Sequence, residues 1–182
     1  KNSIFWTGAP STKDDLIRMG VSKSRCIVIP NPIAYKPVIT LPQKEKYPTF
    51  LFVSRVVKMK GIEEVIKSFA FIHKEKPTSR LWIAGGGEES YIRKLQQLIQ
   101  SYSLEQAVQF LGYVSEKEKL ERMGRAHVLL HASVKEGWGL VVMEAASQGT
   151  PAVVYNVSGL KDAVIHEKTG LLVNENSPPA MA

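Results

Sequence analysis

Long apolar runs, cysteine and aspartate are all scarce in this sequence, and each scarcity excludes something. No run of about 18 apolar residues occurs, so no segment is expected to span a bilayer as a helix. The single cysteine, Cys26, cannot form an internal disulfide, which fits a reducing compartment. Aspartate occurs only at Asp14, Asp15 and Asp162, with no D-x-D pair to clamp Mg2+ or Mn2+. Histidines 73, 127, 131 and 166 show no ligand spacing, so no metal site is expected. His127 and His131 flank one apolar run and read as structural. The opening KNSIFWTGAP lacks the basic-then-apolar order of a signal peptide.

What is present is the composition of a globular chain. Its 182 residues are enough for one ordinary domain with a sizeable core, at 44% hydrophobic and 23% charged. The formal charge of +7 has two readings. Lys and Glu are interleaved, as at KEK 44–46, 74–76 and 117–119, which suits a solvated surface. The excess also suits attraction to phosphates or to an acidic membrane surface. Nucleic acid is not an expected partner, because no basic stripe alternates with stacking aromatics.

Short apolar runs alternate with stretches of helical period. Residues 26–29, 50–54, 81–84, 108–111, 127–132 and 152–155 read as strands, most of them apolar on both faces. Ile62, Val65, Ile66, Phe69 and Ile72 follow helical spacing, as do Tyr91, Ile92, Leu95, Leu98 and Ile99. Ser115 with Glu118 forms a capping box for a third helix, and Met143 and Ala146 mark a fourth, closed by Gly149. A shorter fifth is expected over Gly159–Ile165, and Ser11 or Thr12 is expected to cap a short helix ending at Met19-Gly20. This alternation predicts an α/β fold with a doubly wound parallel sheet, with ligands at the carboxyl ends of its strands.

The loops at those ends carry the candidate chemistry. Arg55 and Lys60 lie five apart between strand 50–54 and a helix, a spacing that suits a diphosphate clamp beside helix-start amides. The glycines of AGGGEES permit a tight turn, but Ser90 stands where a dinucleotide fingerprint needs its third glycine. A turn without ligand contact and a ligand-lining loop stay equally open there. Backbone groups of Gly112, Tyr113 and Val114 could reach a base edge, although by itself the stretch reads as only a strand-to-helix turn. Glu136 precedes Gly137-Trp138-Gly139, where a sharp bend turns amides of Trp138, Gly139 and Leu140 toward an anion. A carboxylate beside an anion site makes sense if it addresses a neutral, hydroxyl-rich group attached to that anion. Glu144 follows eight residues on; a largely helical segment would separate the two carboxylates by about 12 Å. That exceeds the roughly 5–9.5 Å of a glycosidase acid/base pair, so they should contact different parts of one long ligand.

EGWGLVVME at 136–144 resembles the E-x7-E motif of the retaining GT-B glycosyltransferases known as glycosyl transferases group 1. RVVKMKG resembles that family's Arg and Lys loop. GGGE, FLGYVS, EAASQGTPAV and HEKTGLLV resemble its recurring segments, in order, over about residues 20–175. The resemblance implies a Rossmann-like, carboxy-terminal half of a GT-B fold. Its donor would be a nucleoside-diphosphate sugar, with no other cofactor and no metal. Arg55 and Lys60 would bind the diphosphate, Glu136 the sugar hydroxyls, and Gly139 and Leu140 would give amides to phosphate, beside Trp138. Glu144 would bind the ribose, with Tyr113 and Val114 against the base beside Gly112. Trp138 stands where Phe is common in the family, and NVSGLKD at 156–162 only approximates its glycine-rich segment.

The expected organisation is a residual segment of an amino-terminal domain at 1–29, a proline-rich linker at 30–49, the nucleotide-sugar-binding domain at 50–175 and a truncated tail at 176–182. A saccharide or lipid-linked acceptor would then be bound through an amino-terminal domain outside this chain, and the piece alone should transfer little. A role in cell-envelope polysaccharide synthesis is expected, in the cytoplasm, with peripheral contact at the inner face of a membrane left open. Competing readings are a sugar-nucleotide epimerase or phosphorylase of the same fold, a non-catalytic nucleotide-sugar-binding module and, disfavoured by Ser90, a nicotinamide-dependent dehydrogenase.

Overall fold

A computed structural model describes residues 3–182. It begins with strand β1 (Phe5–Thr7), helix α1 (Pro10–Arg18) and strand β2 (Cys26–Val28), the two strands pairing in parallel. There follow β3 (Thr49–Val53), α2 (Ile62–Glu75), β4 (Arg80–Ala84), α3 (Glu89–Ser101), β5 (Val108–Gly112), α4 (Glu116–Arg125) and β6 (Val128–His131). The chain ends with α5 (Leu140–Ser147), β7 (Ala152–Val154), β8 (Gly170–Leu172) and α6 (Pro178–Met181). Strands β3 to β8 form one sheet in the order β5-β4-β3-β6-β7-β8, every pair parallel. The doubly wound α/β sheet expected from the alternation is the one that forms.

Side chains alternate across this sheet, and the alternation divides the core. On β3 and β4, Phe52, Leu81 and Ile83 enter the layer covered by α2 and α3. Leu51, Val53, Trp82 and Ala84 enter the opposite layer, under α4 and α5. The strands are therefore apolar on both faces because both faces carry helices. Removing a buried side chain such as Phe52, which is 0% exposed, should cost about 3–5 kcal/mol.

The strand order positions the ligand site. From β3 the chain winds outward through β4 to β5, then returns past β3 to β6 and winds the other way. The loops after β3 and β6 thus diverge from adjacent strands at the point where the order reverses. In open α/β sheets the ligand crevice lies at the carboxyl ends of such a strand pair.

Several expectations need correction. Strand 26–29 is shorter and pairs with β1, outside the main sheet. The cap of α1 is Ala9, with no side-chain bond; Pro10, locked in φ, starts the helix and leaves Ser11 inside the first turn. Residues 158–162 form turns and residue 163 a bend, with no helix over 159–165. The final residues carry more structure than a tail: α6 packs on α2, and Met181 is buried. Strand β8 escaped notice because three residues are too few to establish a period. The 30–49 segment has no helix or strand before Thr49, and it is pinned along the α4–α5 side. The Val38 amide donates to the Ser147 carbonyl (2.9 Å), and the Lys44 ammonium to the Ala126 carbonyl (2.8 Å) and Thr150 Oγ1 (2.7 Å). No helix among the described residues is long and apolar enough to cross a membrane.

Candidate functional site

The loops after β3 and β6 are fastened to each other before any charged group is considered. The Val134 amide and the Ser133 hydroxyl both donate to the Met59 carbonyl, at 3.1 and 3.0 Å. Such an approach requires glycine at position 61. Its φ is +72°, and a Cβ there would stand 2.0 Å from the Ala132 carbonyl oxygen. The same glycine caps α2, so one residue ends the β3 loop, starts the helix and admits the β6 loop.

This closure brings Lys60 across to Glu136. The Lys60 Nζ lies 2.5 Å from Glu136 Oε1, and His131 Nε2, at the end of β6, lies 3.1 Å from the same oxygen. Burial pushes the Glu136 carboxyl up, but the hydrogen bonds from His131 and Lys60 outweigh it and bring it down to about 2. Glu136 is therefore a held anion of low basicity. An Nε2–H tautomer of His131 satisfies the contact, which leaves its Nδ1 buried without a protein partner.

A cleft of about 470 Å3 opens beside this pair. It is lined by Lys60 and Glu136, by Gly137 to Val141, and by Glu144 with Lys119 of α4. Gly139, at φ +75°, is the N-cap of α5 and lets the chain enter the helix against Leu160 and Ala163. The first-turn amides of α5 accordingly start at the cleft, the arrangement that receives an anion. Trp138 also lines it, and its indole N–H is buried without a protein acceptor. Two carboxylates and two ammoniums thus face one space, each carboxylate already held by a lysine. Glu144 Oε2 is 3.0 Å from Lys119 Nζ.

Not every candidate residue reaches this cleft. Lys60, Glu136, Trp138, Gly139, Leu140 and Glu144 line it. Arg55 is exposed and does not line it, although its neighbour Ser54 does. Gly112, Tyr113 and Val114 do not line it either. Gly112 closes β5 at φ +67°, Tyr113 is 88% exposed, and Val114 packs partly into the core. Helix α5 begins only at Leu140, so the largely helical path assumed between Glu136 and Glu144 does not exist. The glycines 85–87 are taken up by the sheet rim. The Val56 amide donates to the Gly86 carbonyl (2.8 Å), and Val56 bridges to Gly87.

Polar residues of the cleft that were missed include Lys119, His131 and Asn31. Lys119 is one helical turn before the buried Met123, a spacing that already placed it on the inward side of α4. His131 ends a strand at the sheet's carboxyl edge, a position that should have outweighed its reading as structural. His127 is structural, its Nδ1 accepting from the Thr49 amide at 3.0 Å. No group of three metal-ligating side chains is found among the described residues.

The profile of the family described as glycosyl transferases group 1 matches residues 39–182. An uncharacterized glycosyltransferase of Methanocaldococcus jannaschii, MJ1607, is 35% identical over 133 residues, which cover 72% of this chain and 33% of that protein. A D-inositol 3-phosphate glycosyltransferase of Pseudarthrobacter chlorophenolicus is 34% identical over 129 residues, covering 68% of this chain and 30% of that protein. Among solved structures, HepE of Anabaena, in complex with UDP and glucose, superposes with a TM-score of 0.83 at 21% identity, covering 98% of this chain and 51% of that one. A sucrose-phosphate synthase of Thermosynechococcus elongatus superposes with a TM-score of 0.82 at 29% identity, covering 97% and 46%. The chain therefore spans about a third of the curated relatives it matches and about half of the solved chains.

Proposed function

Because the chain belongs to the glycosyl transferases group 1 family, we propose that it is the donor-binding half of a retaining glycosyltransferase that takes its sugar from a nucleoside diphosphate. The observation that carries this reading is the meeting of Lys60 and Glu136 at the strand-order reversal, beside the glycine-opened start of α5. In it, Lys60 and the α5 amides take the diphosphate, and Arg55 joins them by swinging in from its exposed position. Glu136 accepts from sugar hydroxyls, and Glu144 from the ribose. Gly112, Tyr113 and Val114 border the base once a donor is seated. Residues 50–175 form the donor domain, and residues 1–29 belong with an amino-terminal domain that brings a saccharide or lipid-linked acceptor.

In the reaction, the bond from the sugar's anomeric carbon to the diphosphate oxygen breaks, and its electron pair leaves with the diphosphate. The acceptor oxygen forms the new bond on the same face, and its proton passes to the leaving phosphate. Glu136 is held as an anion by His131 and Lys60 and is not needed as the proton acceptor, because the leaving phosphate takes that proton. It positions the sugar.

The test is a thermal-shift screen with UDP-, GDP- and ADP-sugars. UDP comes first, since the HepE structure holds UDP. A ligand at a hundred times its Kd adds about 2.7 kcal/mol of stability, so the shift is measurable. We expect one donor class to stabilise the protein and the effect to disappear in Lys60→Ala and Glu144→Ala. A shift that survives both substitutions would overturn the assignment of the site.

A further inference from the structure

Lys119 is drawn into a closed cluster that the donor reading leaves unexplained. Its Nζ lies 2.9 Å from Glu116 Oε2 and 3.0 Å from Glu144 Oε2. It also stands 5.3 Å from the centre of the Tyr35 ring, whose hydroxyl donates to Glu116. The Lys119 and Glu144 side chains are only 13% and 17% exposed, yet both line the cleft. Burial pushes the Lys119 ammonium down, and the two carboxylates outweigh it, so its proton is held more tightly than usual. A flexible lysine fixed at three contacts is a rigid one, and rigidity is what a hydrogen-bonding site needs from its supports.

A carboxylate facing a diphosphate site creates a conflict. Ionised, it is the best acceptor for a vicinal diol; uncompensated, it repels the phosphates that carry that diol. Lys60 resolves this for Glu136 at the sugar end. We infer that Lys119 resolves it for Glu144 at the ribose end and is thereby a specificity-determining residue of the donor site. It clamps Oε2, leaves Oε1 for the ribose hydroxyls and offsets the charge of Glu144 beside the diphosphate, while its other partner, Glu116, is 65% exposed and screened by solvent. This rests on the donor reading above and adds to it a residue and a selectivity, for ribonucleotide over deoxyribonucleotide donors. The support is unusual in coming from three separate elements. Tyr35 lies on the 30–49 segment, Glu116 and Lys119 lie on α4, and Glu144 lies on α5.

The experiment is calorimetric titration of the protein with UDP, GDP and ADP, and with the 2′-deoxy form of whichever binds tightest. The unaltered protein should prefer the ribonucleotide by about tenfold, as expected for one hydrogen bond to a charged acceptor. Lys119→Met, which keeps length and removes charge, should reduce that preference to about threefold or less and weaken both ligands. Lys119→Arg should retain it. Glu116→Gln, altered at a largely exposed side chain, covers the case in which Lys119→Met fails to fold, and should give an intermediate preference. An unchanged preference in Lys119→Met, or in Glu116→Gln if that alone folds, overturns the inference while leaving the donor site standing. Absence of binding by every nucleoside diphosphate to the unaltered protein overturns both.

Discussion

Ser11 and Asp162 lie 151 residues apart in sequence and meet in the first turn of α1, where the Asp162 carboxylate accepts from the Ser11 amide at 3.2 Å and also from its hydroxyl. The Ser11 oxygen in turn accepts from the Gly159 amide at 2.8 Å. Residues 158–159 hold Glu136 by its backbone: the Glu136 amide donates to the Ser158 carbonyl at 3.1 Å, and Gly159 sits against the Glu136 carbonyl. The opening segment of the chain is therefore linked to the backbone of Glu136 through two short steps. Ser11→Ala removes the middle of the link and leaves the Gly159 amide unpaired. The expected result is a loss of about 1–3 kcal/mol, read by urea unfolding, with weaker donor binding at equal folded fraction. Unchanged stability and binding would remove the link from the account.

Glycine at 159 should prove as strict as glycine at 61. Its φ is +85°, and a Cβ would stand 2.1 Å from the Glu136 carbonyl oxygen, which is backbone and has no rotamer to escape into. Gly159→Ala should destabilise by about 2 kcal/mol or more and displace the Glu136 loop. Gly86→Ala is the control, since nothing stands within 4 Å of its Cβ position and its φ is not in the left-handed range. It should lie within about 0.5 kcal/mol of the unaltered protein in the same unfolding measurement. Equal effects at the two positions would refute the steric argument.

The main sheet was legible because its signals are repetitive. The continuous apolar run of β3, and the 3.6-residue spacing of Ile62 to Ile72 on α2, are signals that local sequence alone establishes. The Ser115 cap was legible for the same local reason; its oxygen accepts from the Glu118 amide at 3.2 Å, although the Glu118 side chain turns to Arg122 instead of back to the cap. What was not legible depends on contacts between distant segments. The spacing to Met123 turns Lys119 rather than Lys117 inward, but its meeting with Glu144 of α5 follows only from how α4 packs. Likewise the bond of Asp162 to the start of α1 joins segments far apart in sequence, and β8 pairs with β7 along an edge that no local pattern announces. Glu136 was picked out by its glycines, but its hold by His131 required the loop after β6 to fold back on its own strand.

Acid should weaken the protein through Glu136. Its carboxyl is held at about 2 in the folded chain, against an ordinary value of 4.5. A depressed folded value means the stabilisation is fully present above about 4.5 and is lost as pH falls toward about 2. The side chain is 15% exposed, and the full effect approaches roughly 3 kcal/mol. Urea titrations of the unaltered protein and of Glu136→Gln at pH 6, 4 and 2.5 measure it. The difference in stability between the two should shrink toward the lowest pH. A difference that stays constant over this range would mean that Lys60 and His131 do not hold the carboxylate as described.

Arg55 and Lys60 separate binding from stability, because one is exposed and the other is built into the fold. Lys60 is 16% exposed and paired at 2.5 Å, so Lys60→Ala leaves Glu136 half-buried and short of its main cation. That should cost about 2–4 kcal/mol of stability in addition to donor affinity. Arg55 does not line the cleft, so Arg55→Ala should stay within about 0.5 kcal/mol in unfolding experiments. If Arg55 swings onto the diphosphate when a donor arrives, the same substitution should weaken nucleoside-diphosphate binding by about tenfold, the worth of one charge-assisted contact, and the weakening should diminish as salt is raised. Binding of a plain nucleoside should be unaffected, since it carries no phosphate for the guanidinium to meet. Equal loss of nucleoside and nucleoside-diphosphate affinity in Arg55→Ala would place Arg55 elsewhere and leave Lys60 and the α5 amides as the diphosphate's partners.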